Sequence, residues 1–197
     1  MATLPNAIIR KLSNDKILKK IIQEHAFPIL KPSQNYFEDL IKFIIYQQIS
    51  TKAGNTIYRR FQEFYQGKES KVINWTEEEW RSIGLSIQKK TYIENFFSPE
   101  SKELILSLYQ EEEIDKIRKS LTSLKGIGDW TADMFLIFTK NYEDVFPIKD
   151  LAIVNTIKKL YKVQTEEEIL FLSKQWAPYR TYACLYLWES LNDNFPK

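Results

Sequence analysis

The residues best able to do chemistry lie in two short stretches. In the first, Leu124-Lys125-Gly126-Ile127-Gly128, two glycines one residue apart lead into a helix-forming run that starts at about Asp129. Glycine tolerates positive φ, so a tight hairpin fits there. Without side chains in the way, backbone N–H groups at a helix start can approach an anion closely, and a DNA phosphate is one such anion. A plain corner between two helices is the alternative for the same residues. In the second stretch, Asp150 stands just before Leu151-Ala152-Ile153-Val154. Aspartate is a favoured helix N-cap, and a capping carboxylate can also serve as a fixed negative charge. Other chemistries are poorly supplied. The single Cys184 excludes an intrachain disulfide and a four-cysteine iron–sulfur cluster, and the single His25 excludes a multi-histidine metal site. Neither has a motif around it: His25 reads as structural or exposed, and Cys184 as a small buried hydrophobe.

The elements that must position these residues are helical almost throughout. Phe37, Leu40, Ile41, Ile44 and Ile45 fall on one helical face, and Gln48 continues the rotation. Thr76-Glu77-Glu78-Glu79 and Thr165-Glu166-Glu167-Glu168 carry the capping-box pattern of a helix start. Gly84 is a stop for the first of these helices. The third glutamate triplet, 111–113, reads as a helix first turn on the same electrostatic ground. Ile114, Ile117, Leu121 and Leu124 mark the helix leading into Gly126, and Pro178 suits the first turn of a last helix reaching about Leu191. Ser50 can cap a helix from Thr51. No run alternates as a strand would, so the expected fold is all-α, with about ten helices.

Size and charge agree with this. A chain of 197 residues, 44% hydrophobic and 27% charged, can bury a sizeable core. No stretch approaches the length and apolarity of a membrane span, and Met1–Arg10 has no signal-peptide core. The net charge of +2 does not by itself announce a nucleic-acid partner. Its distribution is uneven: 11 basic and 6 acidic residues give +5 over residues 1–70, against −2 over 71–140 and −1 over 141–197. The N-terminal excess can face phosphates or simply be a solvated surface.

Leu124-Lys125-Gly126-Ile127-Gly128-Asp129-Trp130-Thr131-Ala132 resembles the helix-hairpin-helix of the DNA glycosylase superfamily. Other landmarks follow in that superfamily's order. Tyr46-Gln47-Gln48-Ile49-Ser50, followed by Ala53, looks like the loop that enters the duplex. Gly84-Leu85-Ser86 with Lys89-Lys90 is similar to the middle segment. Asp144-Val145-Phe146-Pro147-Ile148-Lys149-Asp150 resembles the catalytic segment. Trp176-Ala177-Pro178-Tyr179-Arg180 through Leu187-Trp188 resembles the C-terminal helix. The matches span residues 37 to 188, and the set is most similar to alkylation-repair enzymes of the 3-methyladenine DNA glycosylase II type.

The resemblance implies two interlocked helical subdomains with a DNA-binding cleft. Residues 37–132 would form a helical barrel ending in the hairpin, and 1–36 plus 133–197 the second subdomain, with Asp150 facing the cleft. It implies base excision: hydrolysis of the N-glycosidic bond of alkylated purines (3-methyladenine, with 7-methylguanine as a further substrate) after base flipping, leaving an abasic site. Asp150 would face the sugar C1′, where positive charge builds as the bond breaks. Asp144 is the competing acid and reads as structural. Bifunctional relatives carry a lysine two residues after the second glycine; here Trp130 occupies that place, which implies a monofunctional enzyme without lyase activity. Trp130 and Trp188 would line the base pocket, with Met134, Tyr46 and Phe135 as lesser members. A cationic alkylated base suits an aromatic face, although such residues also fill cores. Gln48 would be the wedge that fills the gap left by the flipped nucleotide, with a buried tie between helix ends as the alternative. Gln47 reads as such a tie.

Gly126 and Gly128 would hold the DNA backbone, helped by Thr131 and Lys125, with Lys52, Arg59 and Arg60 as further cations. No cofactor is required by this reading. The carbonyls of Thr122, Leu124 and Ile127 match positions that gather round a structural Na or K ion in the family. The implied partner is double-stranded DNA bearing alkylated bases, with no membrane, acted on by a monomer. The implied location is cytoplasmic and nucleoid-associated in a bacterium, nuclear in a eukaryote. A helix-hairpin-helix module that binds damaged or structured DNA without chemistry is the alternative; Asp150 with Trp130 and Trp188 is what it would not need.

Overall fold

The structure, a computed structural model, describes residues 5–68, 72 and 74–191. Among the described residues there is no strand. The helices are α1 (Pro5–Leu12), α2 (Lys16–Glu24), α3 (Tyr36–Tyr46), α4 (Thr51–Tyr65), α5 (Glu77–Ile83), α6 (Ile87–Asn95), α7 (Pro99–Ser107), α8 (Ile114–Ser123), α9 (Asp129–Met134), α10 (Leu151–Tyr161), α11 (Glu166–Ser173) and α12 (Arg180–Glu189). A π-helical turn, Phe135–Thr139, follows α9, and a 3₁₀ turn, Lys174–Trp176, follows α11. The chain is all-α.

Two units divide the chain: Ser33–Phe135 is one, and the described residues up to Pro32 together with those from Leu136 form the other. Among the described residues the chain passes between them twice, after Pro32 and within the π-helical turn.

In the unit 33–135, α3 is the axis. It packs against α4, α6, α7 and α9, and α8 packs on α9. Helical periodicity puts Phe37, Leu40, Ile41, Ile44 and Ile45 on one face, but Tyr36, Phe43 and Tyr46 are buried as well. A helix apolar nearly all round is one that neighbours cover on several sides. α3 stops at Tyr46 and does not carry its rotation to Gln48, which adopts a left-handed φ of 57°. Ser50 then starts α4, its hydroxyl accepting from the Ala53 amide.

In the other unit, α12 is the most buried helix, with Thr181, Ala183, Cys184, Leu185, Tyr186, Leu187 and Trp188 all inside. It packs against α2, α10 and the 3₁₀ turn. Both Thr-Glu-Glu-Glu capping boxes form, at Thr76 and Thr165, and Gly84 ends α5 at φ 90°. The third glutamate triplet does not begin a helix. Glu113 is the residue before α8, and the Glu111 carboxylate accepts from the amides of Glu112 and Glu113. Pro178 likewise stands two residues ahead of α12, which ends at Glu189.

Candidate functional site

The hairpin forms as the glycine spacing requires. α8 ends at Ser123 with Leu124 as its C-cap, the Ile127 amide bonds the Leu124 carbonyl at 3.1 Å, and α9 starts at Asp129. The two glycines serve different needs. Gly126 sits at φ 93°, and a Cβ there would lie 2.3 Å from the Tyr92 ring. Fold geometry alone therefore demands glycine. Gly128 has an extended backbone, φ −106° and ψ −176°, which any residue adopts, and a Cβ there would meet nothing within 4 Å. Nothing inside the protein requires glycine at Gly128, which is exposed at the N-terminus of α9.

The hairpin is braced from within its unit. Gln47 Nε2 donates to the Gly126 carbonyl and to Thr131 Oγ1, both at 2.9 Å. Arg118 of α8 pairs with the buried Asp133 of α9 at 2.6 Å. Thr131, expected to offer its hydroxyl to a DNA backbone, is corrected by this geometry: it is 1% exposed and its oxygen is engaged by Gln47. Lys125 is exposed, as are Lys52, Arg59 and Arg60. Gln48 is exposed too, so it is not a buried tie; Gln47, half-buried, is the residue that ties the segments together.

Asp150 caps α10, Oδ1 accepting from the Ile153 amide at 2.8 Å. The same oxygen receives the Trp188 indole N–H at 3.3 Å, and the residue is 4% exposed. Trp188 is itself 3% exposed and packs its ring near Phe138. Trp188, expected to line a base pocket, is thereby corrected to a core residue whose indole N–H holds the carboxylate. Asp144 is engaged elsewhere. Arg180 grips it with Nε to Oδ1 at 2.7 Å and Nη2 to Oδ2 at 2.8 Å, and the Arg180 amide adds a third bond. Burial alone would raise the Asp144 carboxyl, but the Arg180 hydrogen bonds and charge outweigh it and hold the group below its ordinary value.

Of the residues expected to line a base pocket, Trp130 is half-buried in the first turn of α9. Met134 and Phe135 are 0% exposed and Tyr46 is 5% exposed. The Tyr46 ring lies where a Cβ on Gly54 would be, and its hydroxyl bonds Asn55. These three are core residues in this structure, which offers no surface on them for a base. Thr122 is exposed, while Leu124 and Ile127 are buried.

Two participants escaped sequence reasoning. Tyr92 of α6 lies against Gly126 and accepts from Gln88. Lys89, one helical turn earlier, donates to the carbonyls of Ile45 and Gln47. The only local signal was the Lys89-Lys90 pair, and its members differ: Lys90 pairs with Glu77 and Glu94.

Residues 41–178 match the HhH-GPD superfamily of base excision DNA repair proteins. DNA-3-methyladenine glycosylase 1 of Schizosaccharomyces pombe is 32% identical over 186 residues, covering 90% of this chain and 82% of that one. A 3-methyladenine DNA glycosylase of S. pombe, solved in complex with abasic DNA, superimposes with a TM-score of 0.84 at 28% identity, covering 97% of this chain and 99% of that one. A DNA-3-methyladenine glycosidase of Bacillus halodurans gives 0.73 at 30% identity, with 96% and 89% coverage.

Proposed function

The chain belongs to the HhH-GPD superfamily of base excision DNA repair proteins, and from that premise we propose that it is a monofunctional DNA glycosylase releasing alkylated purines. The observation that carries the reading is Asp150: a carboxylate almost fully withdrawn from water, fixed by a backbone amide and an indole N–H. A capping role explains the amide bond. It does not explain the second donor, which comes from a residue 38 positions away.

The chemistry follows from charge. Breaking the C1′–N bond leaves positive charge on the sugar, and an anion held in a water-poor site stabilises it without reorganising. The same carboxylate can orient the attacking water. A purine alkylated at N3 or N7 is cationic and departs neutral, so no strong general acid is needed. A neutral lesion would need leaving-group activation. Trp130, half-buried beside the hairpin, presents an aromatic surface suited to a cationic base. It also stands where a Schiff-base lysine would be needed, so the product is an abasic site in an uncut strand.

The hairpin holds the DNA backbone through the amides around Gly128, where absence of a side chain has no internal reason. The carbonyls of Thr122, Leu124 and Ile127 are neutral oxygen donors, suited to a monovalent Na or K ion at this turn. Such an ion would add positive charge near a phosphate; the Leu124 carbonyl already accepts one internal bond. Gln48, exposed and left-handed, is the wedge. The enzyme works as a monomer on duplex DNA, in the nucleoid or the nucleus according to its host.

The test is release of free bases from methylated duplex DNA by wild type and Asp150→Asn, each base identified by mass. Wild type is expected to release 3-methyladenine and leave alkali-labile, uncut strands. Asp150→Asn should lose roughly 100-fold or more in rate, the scale of one lost electrostatic group, while still binding DNA. Binding without release by wild type would replace this reading with that of a non-catalytic module.

A further inference from the structure

The segment from Tyr46 to Ser50 is anchored at both ends and free between them. At its far end, Ser50 is fixed as the N-cap of α4. At its near end, Gln47 is held from two directions: its side chain donates twice into the hairpin, and its carbonyl receives Lys89 Nζ at 2.7 Å. The same ammonium takes the Ile45 carbonyl at 2.8 Å. These are carbonyls that the end of α3 leaves without helical partners, where a cation also suits the helix dipole. Only Gln48 and Ile49 lie between the anchors. Gln48 leaves the first in a left-handed conformation that a non-glycine residue adopts at a cost.

We propose that Lys89 is a positioning residue for base flipping: by clamping the Ile45 and Gln47 carbonyls it keeps the turn at Gln48 formed before DNA arrives. This rests on the reading of Gln48 as the wedge. A preformed wedge loses less freedom on insertion than one that must order itself in the duplex. Lys89 is half-buried, and that burial lowers its pKa, as expected for an ammonium committed to internal acceptors rather than to solvent. Its exposed neighbours on α6 carry no such bond to the turn.

The experiment follows flipping by the fluorescence of 2-aminopurine placed beside an abasic-site analogue in a duplex, by stopped flow, with circular dichroism confirming the fold. Four variants are compared with wild type: Gln48→Ala, Lys89→Met, the double variant, and Lys89→Arg. Gln48→Ala and Lys89→Met should each slow flipping by about tenfold, the scale of one lost charge-assisted hydrogen bond. The double variant should be no slower than Gln48→Ala, because both act through one side chain. Lys89→Arg, which keeps charge and donors, should recover most of the rate. If Lys89→Met does not fold, Lys89→Gln takes its place in every comparison. Wild-type flipping by the Lys89 variant beside a slow Gln48→Ala overturns the positioning role and leaves the wedge standing. Losses that multiply in the double variant overturn it too. Wild-type flipping by Gln48→Ala overturns the wedge reading and this proposal with it.

Discussion

At the scale of the residue, the two hairpin glycines separate fold from function. Gly126 has a positive φ and a tyrosine ring where a side chain would go; Gly128 has neither. Gly126→Ala should therefore lower stability by about 2 kcal/mol or more, a fall in Tm of roughly 4–8 °C for a chain this long. Gly128→Ala should melt with wild type yet bind duplex DNA several-fold more weakly, because a methyl now stands between backbone amides and phosphate. Thermal melts and fluorescence anisotropy on the two variants decide this, and a Gly128→Ala that binds like wild type would remove the hairpin from the interface. Such positions are legible in a sequence because backbone chemistry is local: Gly-x-Gly before a helix and Asp before Leu-Ala-Ile each announce their own geometry. The tie at Gln47 is legible only as a role, not in its partners, and Tyr92 and Lys89 are not legible as parts of the site. Each acts on a partner tens of residues distant, Gln47 on Thr131 across 84 positions. Thr131 and Met134 are buried in the fold, against what resemblance alone implied.

At the scale of the element, what the sequence announces depends on whether a helix end satisfies itself. Thr76 and Thr165 precede their glutamates by three residues, and both boxes close as the spacing dictates. The triplet 111–113 has no such hydroxyl ahead of it; Glu111 folds back on the next two amides and the helix starts later. The start of α12 depends on a remote group instead, since its Arg180 amide bonds Asp144 while the guanidinium grips the same carboxylate. This ion pair gives a pH signature. The folded carboxyl titrates below the ordinary value of 3.8, so its stabilisation is complete above that value and is lost as pH falls through the lower folded value. Asp144→Asn should cost about 1–2 kcal/mol near neutrality, with allowance for the partial exposure of the pair. That gap should persist at pH 5 and close below pH 3.8 as wild type takes up its proton. Urea melts at three pH values measure it; a gap independent of pH would assign the loss to packing instead.

At the scale of the whole molecule, the unit that carries Asp150 is not contiguous in sequence: it begins before residue 33 and resumes at Leu136. No helix before Phe37 is assigned from the sequence, so α1 and α2, and the later helices they join, come from the structure. Asp15 supplies the join. Its Oδ1 caps α2 through the Ile17 and Leu18 amides, while Oδ2 accepts from Tyr161, Gln175 and Trp176, at 2.8, 3.0 and 3.0 Å. The carboxylate is 8% exposed, and burial, together with the charge of Asp15, pushes the Tyr161 hydroxyl well above its ordinary range. Five donors turned toward one small acidic group leave little room for substitution. Asp15→Ala strands several of them away from water, at about 3–5 kcal/mol in total. The expected result is a Tm lower by roughly 6–20 °C. Amide exchange should accelerate first in α2, α10 and α12, while α3 and α7 of the other unit keep their protection longer. Asp15→Asn should recover part of this loss and no more: its carbonyl can still cap α2 and its NH₂ can donate to the Tyr161 hydroxyl oxygen, but the Trp176 indole N–H is then left facing a donor. Base release should fall with the folded fraction and show no separate change in rate per folded molecule, because the Asp15 carboxylate is taken up by five donors of the protein itself. A variant that melts with wild type would overturn Asp15 as the join, and one whose folded fraction is intact while its excision rate drops would show that this carboxylate serves the reaction rather than the fold.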